Sequence, residues 1–387
     1  MRVFLDVAGA IGDPYLRRAF ALAEFGRGTT SPNPLVGCVI VRDGEIVGEG
    51  FHEIAGREHA EVAALRDAGE RASGSVAYVT LEPCNHVGRT GPCVPALVEA
   101  GVGRVVIGMR DPDPGVAGGG VEALRAAGVA VDLAADPTPF REQNETWLSW
   151  LATGRPWVRV KVALSLDGRP ALREGRRASI SGTGGAGLTA RLRAEADAVL
   201  VGASTAMIDD PALTVRDASG EPSGPRPLRI VLARRTVPPP TLRLFSDGAA
   251  PSVLLTATGA DVAELVGAGV RVEEYDAQGG LVSAIAHLGK IGVVSLLVEA
   301  GPRLLKAFSD ADLVDEMVIV HAGGFAGLDA PALWDGTADG VDGALVARFR
   351  ATEAGVVGDD AATVWRPIRA AGHEGSLGKG SEACSPV

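Results

Sequence analysis

Aromatic residues, cysteines and histidines are all scarce in this chain of 387 residues. Phe, Trp and Tyr together make up 4% of it, too few for the stacking platforms that hold single-stranded bases. Lys and Arg number 37 against 48 Asp and Glu, a net charge of −11, and no basic stripe runs through the sequence. A nucleic acid backbone is therefore not the expected partner. No uncharged apolar run reaches the ~18 residues of a membrane span. The stretch Met1 to Gly12 lacks the basic start and long apolar centre of a secretory signal. Four cysteines do not make a disulfide framework. What is present is 46% apolar residues, enough for large buried cores, over a length that points to two domains. A cytoplasmic, globular protein is expected.

The chemistry concentrates between His59 and Cys93. His59-Ala60-Glu61 is followed by Pro83-Cys84 and then Cys93. One imidazole and two thiolates are the three protein donors of a catalytic zinc site, which leaves one coordination position open, whereas a structural site closes itself with four. A carboxylate two residues after the histidine is placed to carry protons, and the order His-x-Glu then Pro-Cys is that of zinc-activated deamination. The second cysteine usually follows the first after two residues; here Asn85 to Pro92 intervene. Cysteines around a Gly/Pro-rich turn also make structural zinc knuckles or idle core thiols. All four groups standing in the required order favours the catalytic reading. Cys38 and Cys384 are left as free thiols.

Along the chain, helices are expected over Asp13–Gly26, His59–Ala68, Val94–Ala100 and Val121–Ala127. Strands are expected over Val36–Val41, Glu45–Gly50, Val76–Leu81, Arg104–Met109 and Val129–Leu133. This alternation is that of a three-layer α/β unit. Residues 136–156 read as a polar linker with a short helix carrying Trp147 and Trp150. From Trp157 a second alternating unit begins, with strands Val158–Leu164, Ala198–Val201, Leu228–Leu232, Ser252–Thr256, Ser295–Glu299 and Glu316–Val320. The Gly-rich stretch Gly182–Gly187 lacks the Lys-Ser/Thr ending of a P-loop and the spacing of a dinucleotide fingerprint. It reads as a flexible loop leading into a helix at Leu188–Glu195. Val298-Glu299-Ala300-Gly301-Pro302 reads as a strand ending in the start of a helix, either an ordinary turn or a seat for a cofactor phosphate.

Ser31-Pro32-Asn33-Pro34-Leu35-Val36-Gly37, the His59–Glu61 site, Thr80-Leu81-Glu82-Pro83-Cys84, Gly88-Arg89-Thr90, Asp111-Pro112 and Val116-Ala117-Gly118 resemble the bifunctional riboflavin biosynthesis deaminase/reductase family. Leu164–Gly168, Leu192-Arg193-Ala194, Asp209–Arg216 and Val298–Pro302 extend the resemblance through the second half. It implies a cytidine-deaminase-like α/β domain over 1–150, a dihydrofolate-reductase-like α/β domain over 151–370, and a tail over 371–387 that composition marks as disordered. The implied substrate is a phosphorylated pyrimidine, 2,5-diamino-6-ribosylamino-4(3H)-pyrimidinone 5′-phosphate, first deaminated and then reduced at its ribosyl group by NADPH. The resemblance makes His59, Cys84 and Cys93 the zinc ligands and Glu61 the proton carrier. Asn33, His52 and Arg89 are then substrate residues of the first domain, and Arg193, Leu213, Arg216 and Glu299 those of the second. Ala163, Thr205, Asp209 and the turn Gly301-Pro302-Arg303 are the implied NADPH contacts. A homo-oligomer is expected, with no nucleic acid or membrane partner.

The second half departs from the family pattern. Ser179-Ile180-Ser181 stands where Trp-Ile-Thr is usual, and Arg177 where a substrate-binding Ser is typical. Ala233-Arg234 replaces Asp-Ser, and Gly323-Gly324 replaces Pro-Lys. These changes define a second reading, in which only the deaminase is active and the second domain is a binding or dimerisation module. A nucleoside or nucleic-acid deaminase and a zinc-stabilised binding protein are the further alternatives.

Overall fold

The computed structural model describes residues 8–85, 91–113, 119–170, 180–217, 219–234, 236–334 and 349–368. Arg89, Arg177, Ser179, Cys384 and the tail 371–387 lie outside them, as do the motif residues 88–90 and 116–118. The chain divides into two compact units, Met1–Leu151 and Ala152–Val387.

In the first unit Asp13 starts helix α1 (Pro14–Ala23). Its carboxylate accepts the N–H groups of Tyr15 and Leu16 at 2.8 and 3.0 Å, and Pro14 occupies the first helical position. Strands β1 (Gly37–Arg42) and β2 (Glu45–Phe51) form a hairpin around Asp43-Gly44, both at positive φ. There follow α2 (Ala60–Ala68), β3 (Val76–Leu81), α3 (Cys93–Glu99), β4 (Arg104–Met109), α4 (Gly119–Ala126), β5 (Ala130–Leu133), α5 (Thr138–Gln143) and α6 (Glu145–Thr153). The sheet order is β2-β1-β3-β4-β5. Because β1 is antiparallel to both β2 and β3, and β3, β4 and β5 are parallel, the chain leaves β2, β3 and β4 at one common edge.

Alternate residues of β1 serve opposite faces. Cys38 and Ile40 pack with Ala60 and Ala64 of α2, Leu97 of α3 and Leu124 of α4. Val39 and Val41 pack with Ala19 and Leu22 of α1. Helix α2 lies directly on β2, which is glycine where they touch. A Cβ on Gly50 would stand 2.4 Å from the Ala64 backbone nitrogen, and one on Gly48 2.3 Å from the Ala64 carbonyl oxygen. The short helix expected to carry Trp147 and Trp150 is α6, while the stretch before it, expected as linker, forms α5 because its side chains are sunk in the unit. Phe140, Gln143, Asn144 and Trp147 are buried, and Phe140 packs edge-on against Phe20 of α1.

The second unit runs β6 (Trp157–Leu164), α7 (Thr183–Glu195), β7 (Ala198–Gly202), α8 (Ala203–Asp209), β8 (Leu228–Ala233), α9 (Arg243–Ser246) and β9 (Ser252–Ala257). It continues with α10 (Ala263–Gly267), β10 (Arg271–Tyr275), α11 (Gly280–Lys290), β11 (Ser295–Glu299), α12 (Pro302–Asp310), β12 (Glu316–His321), β13 (Phe349–Val357) and β14 (Asp360–Pro367). Among the described residues its nine strands are ordered β10-β9-β8-β7-β11-β6-β12-β14-β13. The first seven in that order are parallel and β14 is antiparallel to both its neighbours. Val158, Val160, Leu200, Ile230, Leu255, Leu296 and Val298 form the centre of its core.

The stretch Gly182–Gly187 is not a flexible loop. It is the first turn of α7, capped from far along the chain by Asp360, whose Oδ2 accepts the N–H groups of Gly182 and Gly185 at 2.9 and 3.0 Å. The glycines admit the β13–β14 hairpin: a Cβ on Gly184 would stand 1.7 Å from the Val357 carbonyl oxygen.

Candidate functional site

The common edge of the first sheet gathers the site. His52 follows β2, His59 is the N-cap residue of α2, Cys84 follows β3, and Cys93 opens α3. The Cys84 carbonyl accepts the N–H groups of Cys93 and Val94 at 3.1 and 3.2 Å, so the cysteine-bearing loop closes on itself despite its eight intervening residues. His59 Nδ1 stands 3.2 Å from Cys93 Sγ and 3.4 Å from Cys84 Sγ, and the two sulfurs are 3.5 Å apart. One nitrogen and two sulfurs converging this closely, with the thiols at a helix N-terminus, form a donor set that fits zinc. They are the group among the described residues suited to hold a metal.

The electrostatics agree. Cys84 is held down to about 4, first by the hydrogen bond from the Cys93 thiol and then by His59, against the cost of burial. Cys93 is pushed up by the hydrogen bond it gives to Cys84 and by burial, so the pair releases one proton readily and the second only against a neighbouring charge. The bond to Cys84 raises His59. Glu61, 3% exposed in the first turn of α2, is lifted to about 7 by burial and then by the charge on Cys84. A buried carboxyl beside these donors is placed to accept a proton and return it.

Asn33 and His52 lie beside this group. The His52 ring meets the His59 ring edge-on at 5.4 Å. His52 Nδ1 is 3.0 Å from the Glu58 carbonyl, which makes it the protonated nitrogen; Nε2 then accepts from Asn33 Nδ2 at 3.0 Å. Burial lowers the His52 pKa and keeps the ring neutral. The tautomer thereby fixes which way the Asn33 amide faces. Two residues further on, Asn144 pairs with Leu35 as a strand would, its Oδ1 accepting the Leu35 N–H at 2.8 Å and its Nδ2 donating to the Leu35 carbonyl at 3.0 Å. Sequence reading missed Asn144, which it had placed in a linker.

In the second unit the expected substrate residues come together only in part. Arg193 of α7 grips Glu299, at the end of β11, through Nε and Nη2 at 2.6 and 2.9 Å. Its Nη1 donates to the Thr214 carbonyl at 2.9 Å. Next to Thr214, buried Leu213 has φ of +50°, strained for a branched side chain. Arg216 is not in this group: it bonds back to the Gly220 carbonyl of its own turn. The two arginines, both implied substrate residues, are therefore held by different partners. Burial works to raise Glu299, and the Arg193 charge overrides it and holds the carboxylate below its ordinary range.

Lys161 was missed. It pairs in register with Glu299 across β6 and β11, and burial lowers its pKa while Glu299, Arg193 and Asp360 act on its charge. Its signal was a lysine inside an otherwise apolar central strand. Of the expected cofactor residues, Gly301 is the N-cap of α12, Pro302 its first residue and Arg303 its second, while Ala163 lies in β6 and Asp209 ends α8. Thr205 Oγ1 stands 3.7 Å from where a Gly301 Cβ would be. Two helix starts thus meet over bare backbone, a cradle that fits a cofactor phosphate.

Comparisons with known proteins follow this division. Residues 13–109 match the family model described as cytidine and deoxycytidylate deaminase zinc-binding region, and residues 156–362 match the RibD C-terminal domain. The chain is 42% identical over 328 residues to the riboflavin biosynthesis protein RibD of Escherichia coli, covering 82% of this chain and 89% of that protein. It is 40% identical over 309 residues to the RibD of Aquifex aeolicus, covering 80% and 86%. Among solved structures, Acinetobacter baumannii RibD superposes with a TM-score of 0.83 at 36% identity, covering 92% of this chain and 98% of that one. A Thermotoga maritima diaminohydroxyphosphoribosylaminopyrimidine deaminase/5-amino-6-(5-phosphoribosylamino)uracil reductase gives 0.79 at 29% identity, covering 92% and 98%. The chain belongs to the RibD family of bifunctional riboflavin-biosynthesis enzymes, a zinc-dependent deaminase followed by a reductase.

Proposed function

We propose that the first unit deaminates 2,5-diamino-6-ribosylamino-4(3H)-pyrimidinone 5′-phosphate and the second reduces the ribosyl chain of the product to ribityl with NADPH. The observation that carries the reading is the His59, Cys84 and Cys93 donor set with buried Glu61 beside it. A zinc ion held by these three donors supplies Lewis acidity and a water nucleophile at neutral pH. Glu61 would take a proton from the attacking water as its oxygen bonds to the amine-bearing carbon, then hand that proton to the amine, so that the C–N bond breaks and ammonia leaves. The Asn33 amide, turned by neutral His52, holds the pyrimidine edge.

In the second unit NADPH, when bound, supplies the hydride. The Gly301 turn and Thr205 take its phosphates, with Ala163, Asp209 and Arg303 as further contacts. Glu299, Lys161 and Leu213 face the ribosyl group, with Arg193 holding Glu299 in place, and Arg216 would take the phosphate from its own turn, on release from the Gly220 carbonyl. Arg89 belongs to the deaminase substrate set in the same reading. So do a homo-oligomeric state and a cytoplasmic location; among the described residues no helix is long and apolar enough to cross a membrane.

Two experiments test this. Glu61→Gln retains zinc and fold and abolishes ammonia release; loss of zinc with the carboxylate would make Glu61 a structural residue instead. Mass analysis of the products without NADPH is expected to show deamination alone, and with NADPH a further gain of two hydrogens. Deamination alone in both samples would leave the second unit a binding module.

A further inference from the structure

Glu82 is as buried as Glu61, at 3% exposure, yet it is not the proton carrier. Both of its carboxylate oxygens are taken up by backbone. Oε1 accepts the N–H groups of Gly120 and Val121 at 3.2 and 3.0 Å, and Oε2 accepts that of Asp111 at 3.3 Å. The first two amides belong to the opening turn of α4, whose dipole also favours a carboxylate there. The third belongs to the segment that leaves β4. One side chain thus ties both stems of the β4–α4 connection to the strand end that leads into Cys84.

The stems lie against the metal-binding loop. A Cβ on Gly120 would stand 2.0 Å from the Pro83 carbonyl oxygen, and one on Gly119 3.6 Å from the Asn85 Cβ. Both stems sit at the sheet edge where His52, His59 and Cys84 gather, and the carboxyl ends of parallel strands are where α/β sheets take their ligands. Cys84 itself does not depend on the Glu82 carboxylate. Its carbonyl is held by Cys93 and Val94, and the Glu82 backbone N–H is held by the Met109 carbonyl at 3.0 Å.

We propose that Glu82 is a positioning residue of the deaminase: its carboxylate fixes Asp111 and the start of α4 as the wall of the substrate site, without holding the metal ligands. The proposal rests on the deaminase reading of this site. Glu82→Gln, made in the full chain, keeps one acceptor oxygen but turns an NH₂ group toward a backbone N–H. Its KM for the diaminopyrimidinone phosphate is expected to rise at least about tenfold with kcat changed far less, the pattern of a displaced contact. Zinc bound per chain, measured by metal analysis, stays at the wild-type level, and NADPH oxidation with the deaminated substrate is unchanged. Glu82→Ala, which removes both acceptor oxygens, gives the same split.

An unchanged KM in both variants, a loss confined to kcat, or zinc lost in step with activity would each overturn the proposal. Should the wild-type chain release no ammonia from this substrate, the deaminase reading fails first, and the proposal fails with it. Zinc bound per chain reports whether the first unit of a variant has folded, and NADPH oxidation reports the second.

Discussion

Gly50→Ala is a one-carbon perturbation whose consequence follows from distances. The added Cβ would lie 2.4 Å from the Ala64 nitrogen, 2.5 Å from the Ala60 carbonyl oxygen and 2.8 Å from the Ala63 Cβ. Ordinary contact begins at 3.4 Å, so α2 must retreat by 3.4 − 2.4, or about 1 Å. The obstacles are mostly backbone atoms of a helix, which cannot rotate away. Helix α2 carries His59 and Glu61, whereas Cys84 and Cys93 are fixed to β3 and α3. The displacement therefore opens the 3.2 and 3.4 Å nitrogen–sulfur separations while leaving the 3.5 Å sulfur pair in place. A 1 Å misplacement of reacting groups costs about 10²-fold in rate, and overpacking of this kind costs about 1–3 kcal/mol in stability. The assay is ammonia release, with NADPH oxidation on the deaminated substrate as the internal control. Deamination within about threefold of wild type, or an equal fall in both activities, would refute the claim that this contact sets the geometry of the metal and proton-carrying groups.

Three further outcomes are expected. Asn144→Ala removes both bonds to Leu35 and leaves a buried N–H and C=O unpaired, costing about 2–4 kcal/mol; calorimetry should show this as a lower melting temperature for the first unit alone. Arg193→Leu takes both guanidinium bonds from Glu299 and leaves its charged group one positive charge short, costing about 3 kcal/mol, and reductase turnover should be lost while ammonia release persists. Asp167 is held down to about 2 by the Ser165 hydroxyl and then by the N–H groups of Ala326 and Gly327. A depressed carboxylate contributes its stabilisation above its unfolded pKa of about 3.8, and that contribution is lost as pH falls through about 2. The Ala326 and Gly327 amide resonances should titrate with that lower midpoint; a midpoint near 4 would mean that the bonds are not formed.

The alternation of strands and helices was legible because burial imposes its period locally, and β3 and β4 appear where their apolar runs place them. The metal group was legible because His59, Glu61, Cys84 and Cys93 are distinctive residue types in a distinctive order. What escaped reading depends on partners remote in sequence. The Gly182–Gly187 stretch looks like loop because the oxygen that caps it belongs to Asp360, 178 residues from Gly182. Asn144 lies 109 residues from Leu35. Glu82 stood in a recognised motif, but its purpose is visible only when Asp111 and α4 are brought beside it. The hairpin of β13 and β14 escaped because Arg350, Glu353 and Arg366 break the apolar alternation along it.

The charged group beneath the second site has a genetic consequence. Lys161, Arg193, Glu299 and Asp360 contribute two positive and two negative charges, a neutral quartet drawn together from β6, α7, β11 and β14. Any one substitution that removes charge leaves a net charge in a low-dielectric setting, and a second of opposite sign restores the balance. These four positions are therefore expected to vary together across related chains, with compensated pairs surviving where single changes are purged. Separated by as many as 199 residues, from Lys161 to Asp360, they form one hereditary unit.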